Sequence, residues 1–209
     1  MAGGKGERLK PITNNIPKPM VRINSKPVLL HIVEYFKKQN LSDFIFTLGY
    51  KADSVKSYFG SGSKFGVKIE YTLEDENNPL GTAGGVGLTR DLINDTFIVT
   101  CGDALRKLQI KPALDFHKKS GGIATMLLHK PISEVVTSMV RFNKQNKLIG
   151  FIERPTLKQL NFKEVYMNSS IYILEPKVFD FIPINKKSDS TSPCAIFSGI
   201  ASTARTRCS

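Results

Sequence analysis

The chain has 209 residues, enough for one domain with a small appendage, and its 41% hydrophobic content supports a packed core rather than disorder. No apolar run approaches the roughly 18 residues needed to cross a bilayer, and Gly3, Gly4, Lys5, Gly6 and Glu7 stand where a signal peptide needs an apolar stretch. A formal charge of +12 points to anionic partners, but lysine and arginine are spread singly without the basic face and interleaved aromatics of a nucleic-acid binder, and that class is set aside.

Residues 1–24, with three glycines and three prolines, read as loop. Over residues 26–39, Val28, Leu29, Ile32, Val33 and Phe36 recur at helical spacing. Residues 43–50 (DFIFTLGY) predict a buried strand, 54–59 a short helix stopped by Gly60, and 67–73 a second strand with Val67, Ile69 and Tyr71 on one side. A glycine-weakened helix is expected over 83–92 and a third buried strand over 96–101 (TFIVTC). A helix follows over 112–119, with proline in its first turn. Strands at 123–128, 139–142, 148–153 and 165–174, then a short helix at 176–181, complete the pattern. Strands alternating with helices imply βαβ units and a mixed, mainly parallel α/β sheet.

Two ends depart from that pattern. A phosphate-binding glycine loop normally leaves the end of a strand; here the loop starts at residue 2, so the first strand is missing. From Asp189 the apolar periodicity gives way to Ser, Thr and Ala. The domain is therefore expected to span 1–187, truncated at both ends, with an aberrant or disordered tail over 188–209. Cys101, Cys194 and Cys208 have no metal or disulfide spacing, so a reducing cytoplasm is the expected compartment. No membrane contact is expected, and a homo-oligomer is compatible with the chain.

The chemistry-bearing residues cluster early. Gly3, Gly4 and Gly6 let successive backbone N–H groups turn toward an anion, and Arg8 adds a planar charged fork suited to phosphate oxygens. The spacing is neither that of a Walker loop nor of a dinucleotide fingerprint. Pro17-Lys18-Pro19-Met20 holds one lysine between two conformationally fixed residues. Pro79-Leu80-Gly81-Thr82-Ala83-Gly84-Gly85 forms a second tight loop able to approach a flat base, or else a helix start capped by Thr82. Asp103 stands just beyond a buried strand, where ligands of open α/β sheets bind; a carboxylate there suits Mg2+ bridged to phosphates, or caps the following turn.

Taken in order, AGGKGERLKPIT, PKPMV, KPVLLHIVEYF, LGY, YFGSGSKFGVKIEY, PLGTAGG, GDAL, FIERP and NSSIYILEP closely resemble the sugar-1-phosphate nucleotidyltransferases, within them most the mannose-1-phosphate guanylyltransferase group, over roughly residues 1–187. The resemblance implies a Rossmann-like three-layer nucleotidyltransferase fold. It also implies Mg2+-dependent nucleotidyl transfer from a nucleoside triphosphate to a sugar 1-phosphate, giving a nucleotide sugar and pyrophosphate, with a GDP-mannose type product favoured. It assigns Gly3, Gly4, Gly6 and Gly81 to the nucleotide, Arg8 and Lys18 to the phosphates, Asp103 to the metal, and Glu153, Arg154 and Asn168 to the sugar phosphate.

Several positions depart from the family pattern. Arg154 replaces the lysine of Glu-Lys-Pro, Thr137-Ser138-Met139-Val140 lacks a glycine, Asn168-Ser169-Ser170 stands for Asn-x-Gly, and Arg106-Lys107 follows the Gly102-Asp103 turn. The family's second metal-binding aspartate has no counterpart here. These departures carry an alternative reading: a catalytically weak or inactive nucleotide-sugar-binding or regulatory relative.

Overall fold

A computed structural model of the chain describes residues 1–3, 6, 9–131, 136–156, 159, 166–183 and the backbone of 204–208. Among the described residues, four α-helices and ten strands follow in order. A small hairpin, β1 (Arg22–Ile23) and β2 (Lys26–Pro27), leads into α1 (Val28–Lys37), then β3 (Asp43–Leu48), α2 (Ala52–Phe59) and β4 (Lys68–Leu73). Next come α3 (Gly81–Gly87), β5 (Phe97–Thr100), α4 (Ile110–Ser120) and β6 (Ala124–His129). A ribbon of β7 (Ser138–Phe142) and β8 (Leu148–Glu153), then β9 (Met167–Leu174) and β10 (Ala204–Cys208), complete the chain.

The strands assemble as a four-stranded sheet in the order β10-β6-β9-β5, beside a β3-β4 pair and the β7-β8 ribbon. β3–β4 and β6–β10 are parallel; β5–β9, β6–β9 and β7–β8 are antiparallel. Of the tail from 188 onward, residues 204–208 are described, running parallel to β6.

Both faces of the large sheet are covered, which is why its central strands read as apolar runs. Along β9, Ile171 and Ile173 face one core with Val28, Ile32 and Phe36 of α1, while Tyr172 and Leu174 face the opposite core with Val178 and Phe179. Helix α1 buries a wide surface. Its Leu29, Leu30 and Val33 pack against Phe46 and Leu48 of β3, so one helix spans both the β3–β4 pair and the large sheet. The 3.6-residue spacing of the sequence thus serves two cores at once.

Two local expectations change. Helix α3 begins at Gly81 with Leu80 at its N-cap and no side-chain cap, so Thr82 lies in the first turn rather than capping it. Residues Pro176–Phe181 form a 3-10 helix, entered through Pro176.

Residues 1–3 occupy the seam between β3 and β5. The Ala2 amide donates to Thr47 O (2.9 Å) and Tyr50 N to Gly3 O (3.3 Å) on one side. On the other, the Met1 ammonium donates to Thr100 O (3.0 Å) and Gly102 N to Met1 O (2.8 Å). Both sets ascend together, so these residues run parallel to both strands and deliver the glycine loop to the carboxyl ends of β3 and β5.

Deeper in the core, His117 of α4 is 1% exposed and bonds Thr125 Oγ1 (2.7 Å) and Glu175 Oε1 (2.8 Å), the latter also accepting from Thr96 Oγ1 (2.8 Å). These bonds tie α4, β6 and the start of β5 together. His117→Leu leaves the Thr125 hydroxyl, itself 0% exposed, without its partner. A loss of about 1–3 kcal/mol in urea unfolding is expected; an unchanged midpoint would refute a structural role for this network.

Candidate active site

A cavity of about 810 Å³ opens at the carboxyl ends of β3 and β5, lined by Gly3, Gly6, Lys18, Gly81, Asp103 and Glu74 among others. Its floor is an ion pair. Lys18 sits in a 3-10 turn whose Met20 N–H returns to Pro17 O (2.8 Å), with Pro17 and Pro19 fixing the backbone on either side. That rigidity aims the Lys18 ammonium at Asp103 Oδ2, 2.6 Å away. Asp103 stands three residues beyond β5, on a turn where Gly102 allows the Met1–Ala2 segment to pass: a Cβ on Gly102 would lie 3.1 Å from Ala2 Cβ and 3.2 Å from Met1 O.

Burial works to raise the Asp103 pKa, but the hydrogen bond and charge of Lys18, helped by the Cys101 thiol, overcome it and hold the carboxyl below its ordinary value. The Cys101 thiol is pushed up by burial and by the neighbouring Asp103 charge. Arg106, just beyond this turn, donates from Nε to Ser169 O (3.3 Å) and braces β9.

The described part of the glycine loop packs against Lys18. Gly6, at φ +65°, accepts from Thr13 Oγ1 (2.9 Å) and lies against Lys18, where an added Cβ would come within 3.2 Å of Lys18 Cβ. Gly4 and Arg8 lie outside the described residues. On the far wall, Glu74 follows β4, its backbone N–H bonded to Leu48 O (2.7 Å). Its carboxylate is boxed in by glycine: a Cβ on Gly3 would sit 2.6 Å from Oε2, and one on Gly85 2.5 Å from Oε1. Among the described residues no group hydrogen-bonds the buried Oε1. Burial raises the Glu74 pKa, and the Met1 ammonium partly offsets this. Sequence reasoning passed over Glu74; the clue available was an acid placed immediately after a strand.

The other end of the cavity is formed by a bulge in β9. Met126 pairs with Tyr172 but Leu128 with Asn168, so β9 carries extra residues opposite Leu127. Ser169 Oγ donates to Leu127 O (2.7 Å). Asn168 spans the bulge, accepting from Ser170 N (2.9 Å) and donating to Tyr172 Oη (2.5 Å). This turns Ser170 and Tyr172 toward the cavity, while the Asn168 amide bonds the Ser170 N–H and the Tyr172 hydroxyl. Glu153 and Arg154 lie at the end of the β7–β8 ribbon and do not join the cavity lining. Glu153 pairs with Ser138, whose Oγ accepts from Asn168 N (2.9 Å), so Glu153 and Asn168 are neighbours through Ser138, and Arg154 N donates to Thr137 O (3.0 Å) beside them.

Ser170 has φ +59°, in the left-handed region that costs a side-chain-bearing residue about 1–2 kcal/mol. This is the position where the sequence pattern leads one to expect glycine. Ser170→Gly is expected to raise stability by about 1 kcal/mol, read as a shift in the urea midpoint; a loss of stability would show that the serine hydroxyl matters more than the backbone.

The profile of the nucleotidyl transferase family matches residues 1–199. The chain is similar to the Synechocystis UTP–glucose-1-phosphate uridylyltransferase, 35% identical over 90% of this chain and 51% of that protein. It is also similar to the Mycobacterium tuberculosis mannose-1-phosphate guanylyltransferase, 32% identical over 88% of this chain and 50% of that protein. The chain spans about half the length of the curated relatives it matches. Among solved structures it superimposes on HddC from Yersinia pseudotuberculosis with a TM-score of 0.80 at 26% identity, covering 99% of this chain and 87% of that one.

Proposed function

Since this chain belongs to the nucleotidyl transferase family, we propose that its cavity binds a nucleoside triphosphate and a sugar 1-phosphate and joins them into a nucleotide sugar. An oxygen of the sugar phosphate attacks the α-phosphorus in line, the bond to the β-phosphate oxygen breaks, and pyrophosphate leaves with that electron pair. Such a transfer needs alignment and charge neutralisation rather than a protein base. The observation that carries the reading is the Lys18–Asp103 pair on the floor of a cavity with glycine walls. Lys18 is a point charge for phosphate oxygens once it exchanges its partner. Gly3 and Gly6 let the backbone close on the triphosphate.

Among the described residues no three His, Cys, Asp or Glu side chains converge on a metal position. A lone carboxylate is nevertheless the donor set that Mg2+ uses when substrate phosphates and water complete its shell. Asp103 is the residue that would hold it, the bound ion supplying charge neutralisation at the phosphates.

Glu74 bears on the base. Glu74 lines the cavity, and a carboxylate there suits a base edge with two adjacent donors. Guanine offers N1–H and N2–H2; uracil and thymine offer one N–H flanked by carbonyls, which a carboxylate repels. GTP is therefore the proposed donor, and the product of GDP-mannose type. Glu74→Gln, which presents one acceptor and one donor, is expected to shift the GTP-to-UTP preference at least about tenfold toward UTP. An unchanged ratio would remove Glu74 from base selection.

The test of the whole reading is pyrophosphate release by the purified chain with Mg2+, each common triphosphate, and mannose or glucose 1-phosphate. Release dependent on both substrates supports it; none from folded protein defeats it. Ser170, turned into the cavity at a strained φ, favours a second reading: a nucleotide-sugar binder without turnover. Binding of nucleotide sugar without release, with release restored in Ser170→Gly, would select that reading.

A further inference from the structure

The corner between β3 and α2 grips the glycine loop on both of its flanks. On one flank, the Tyr50 N–H donates to Gly3 O (3.3 Å), and Gly49 admits this close approach, since a Cβ there would lie 3.0 Å from the same oxygen. On the other, the Tyr50 hydroxyl (3.2 Å) and the Lys51 ammonium (2.6 Å) both donate to Asn14 O, in the 3-10 turn Ile12–Asn14 that follows the loop. Lys51 makes its bond from a φ of +52°, a left-handed backbone unfavourable for a residue with a side chain. Strain of this kind persists only where the surroundings impose it.

Thr13 stands between these two holds. It is 1% exposed, and its hydroxyl donates to Gly6 O (2.9 Å). The same oxygen accepts from Leu9 N (2.9 Å), so both acceptor positions of this carbonyl are taken by the protein. Left loose beside the cavity, it would present negative charge to an incoming phosphate. Gly6 itself is held between two side chains: an added Cβ would come within 3.0 Å of Thr13 Cγ2 and 3.2 Å of Lys18 Cβ. A chain of bonds thus runs from the β3 corner through Asn14 and Thr13 to the glycine packed against Lys18.

We propose that Thr13 is a positioning residue for nucleotidyl transfer: its hydroxyl latches Gly6 against Lys18, and Tyr50 and Lys51 fix the turn that carries it. This rests on the transferase reading above and adds to it how the loop is held. Glycine has the widest backbone freedom of any residue, so the shape of a glycine loop has to be imposed from outside it. A displacement of about 1 Å in such a site costs up to about a hundredfold in rate. Thr13 acts through Gly6 and needs no contact with substrate.

The experiment compares Thr13→Val, Thr13→Ser and Lys51→Gly with the parent chain in pyrophosphate release, using Mg2+, GTP and mannose 1-phosphate or the pair the parent prefers. Valine keeps both branches and loses the hydroxyl; serine keeps the hydroxyl and loses the methyl against Gly6. Thr13→Val should lower kcat/KM at least about tenfold, while Thr13→Ser stays within about threefold of the parent. The reverse order, or equal effects, assigns Thr13 to packing and overturns the proposal. Glycine is unstrained at the φ of Lys51, so in Lys51→Gly the urea midpoint should hold or rise while kcat/KM falls about threefold or more. An unchanged kcat/KM there overturns the latch at its outer anchor. A second measurement needs no turnover: amide exchange at Leu9, whose N–H shares the Gly6 carbonyl with Thr13. Exchange should speed at least about tenfold in Thr13→Val and not in Thr13→Ser. If the parent releases no pyrophosphate, the transferase reading fails by itself, and faster exchange in Thr13→Val still sustains the latch. Unchanged exchange overturns the latch whatever the turnover. Should Thr13→Val not fold, Leu9 exchange in Lys51→Gly decides in the same way.

Discussion

Asp103→Asn is expected to lower pyrophosphate release by about 10²–10³-fold, the scale at which one preorganised electrostatic contact acts on developing phosphate charge. The substitution keeps the shape of the side chain and an acceptor for Lys18 but removes the charge, so the effect is electrostatic rather than steric. The same variant has a signature in stability. The folded pKa of Asp103 is depressed below its ordinary 3.8, so the pair stabilises the fold above that pH and the contribution is lost as pH falls through the folded value. Asp103→Asn should flatten this acid-side loss in a series of urea midpoints below pH 4. Both groups are about a third exposed, so the solvent-screened effect is small beside the catalytic one. Full activity in the variant would take Asp103 out of the reaction.

Lys18→Met is the second large effect. The methionine preserves much of the apolar stem and removes the ammonium. A charged hydrogen bond is worth about 1.5–3 kcal/mol, so the KM for triphosphate should rise roughly ten- to hundredfold. The loss also reaches Asp103: without the Lys18 hydrogen bond and charge, burial is left largely unopposed and the carboxyl pKa rises. The acid limb of kcat/KM should therefore move to higher pH in Lys18→Met. A raised KM with an unmoved acid limb would mean that the two side chains act on different substrate groups, and an unchanged KM would exclude Lys18 from the phosphates.

Much of this site can be read along the chain because its parts are local. Pro17 and Pro19 announce a fixed lysine, glycines announce closely packed backbone, and an acid just past a buried strand announces a place at the strand's carboxyl end; the structure brings these to one cavity. The helices α1, α2 and α4 follow from apolar spacing, which reports burial directly. What stays hidden depends on register between distant strands. Tyr172 and Ser170 reach the cavity through the β9 bulge, and strict alternation along 167–174 gives no sign of it except the small polar pair Ser169-Ser170 inside an apolar run. Asn168 looks like a ligand by motif, and its amide also holds that bulge through one N–H and one acceptor position. Glu74 acquires meaning only when β4 is set beside residues 1–3 and α3. Thr82 reads as a cap because threonine favours that place, but Leu80 takes it.

The glycines on either side of Glu74 also limit how this pocket can change over generations. With Gly3 and Gly85 packed to within van der Waals contact of the carboxylate, a longer or branched side chain at 74 has no room, and a shorter one leaves a hole beside the base. Glutamine is the one replacement that conserves shape, and a single nucleotide change in a glutamate codon produces it. On the proposed reading of Glu74, base choice at this wall would behave as a one-bit switch with neighbouring states: a lineage could exchange one donor nucleotide for another in a single step, and come back, without passing through a broken pocket.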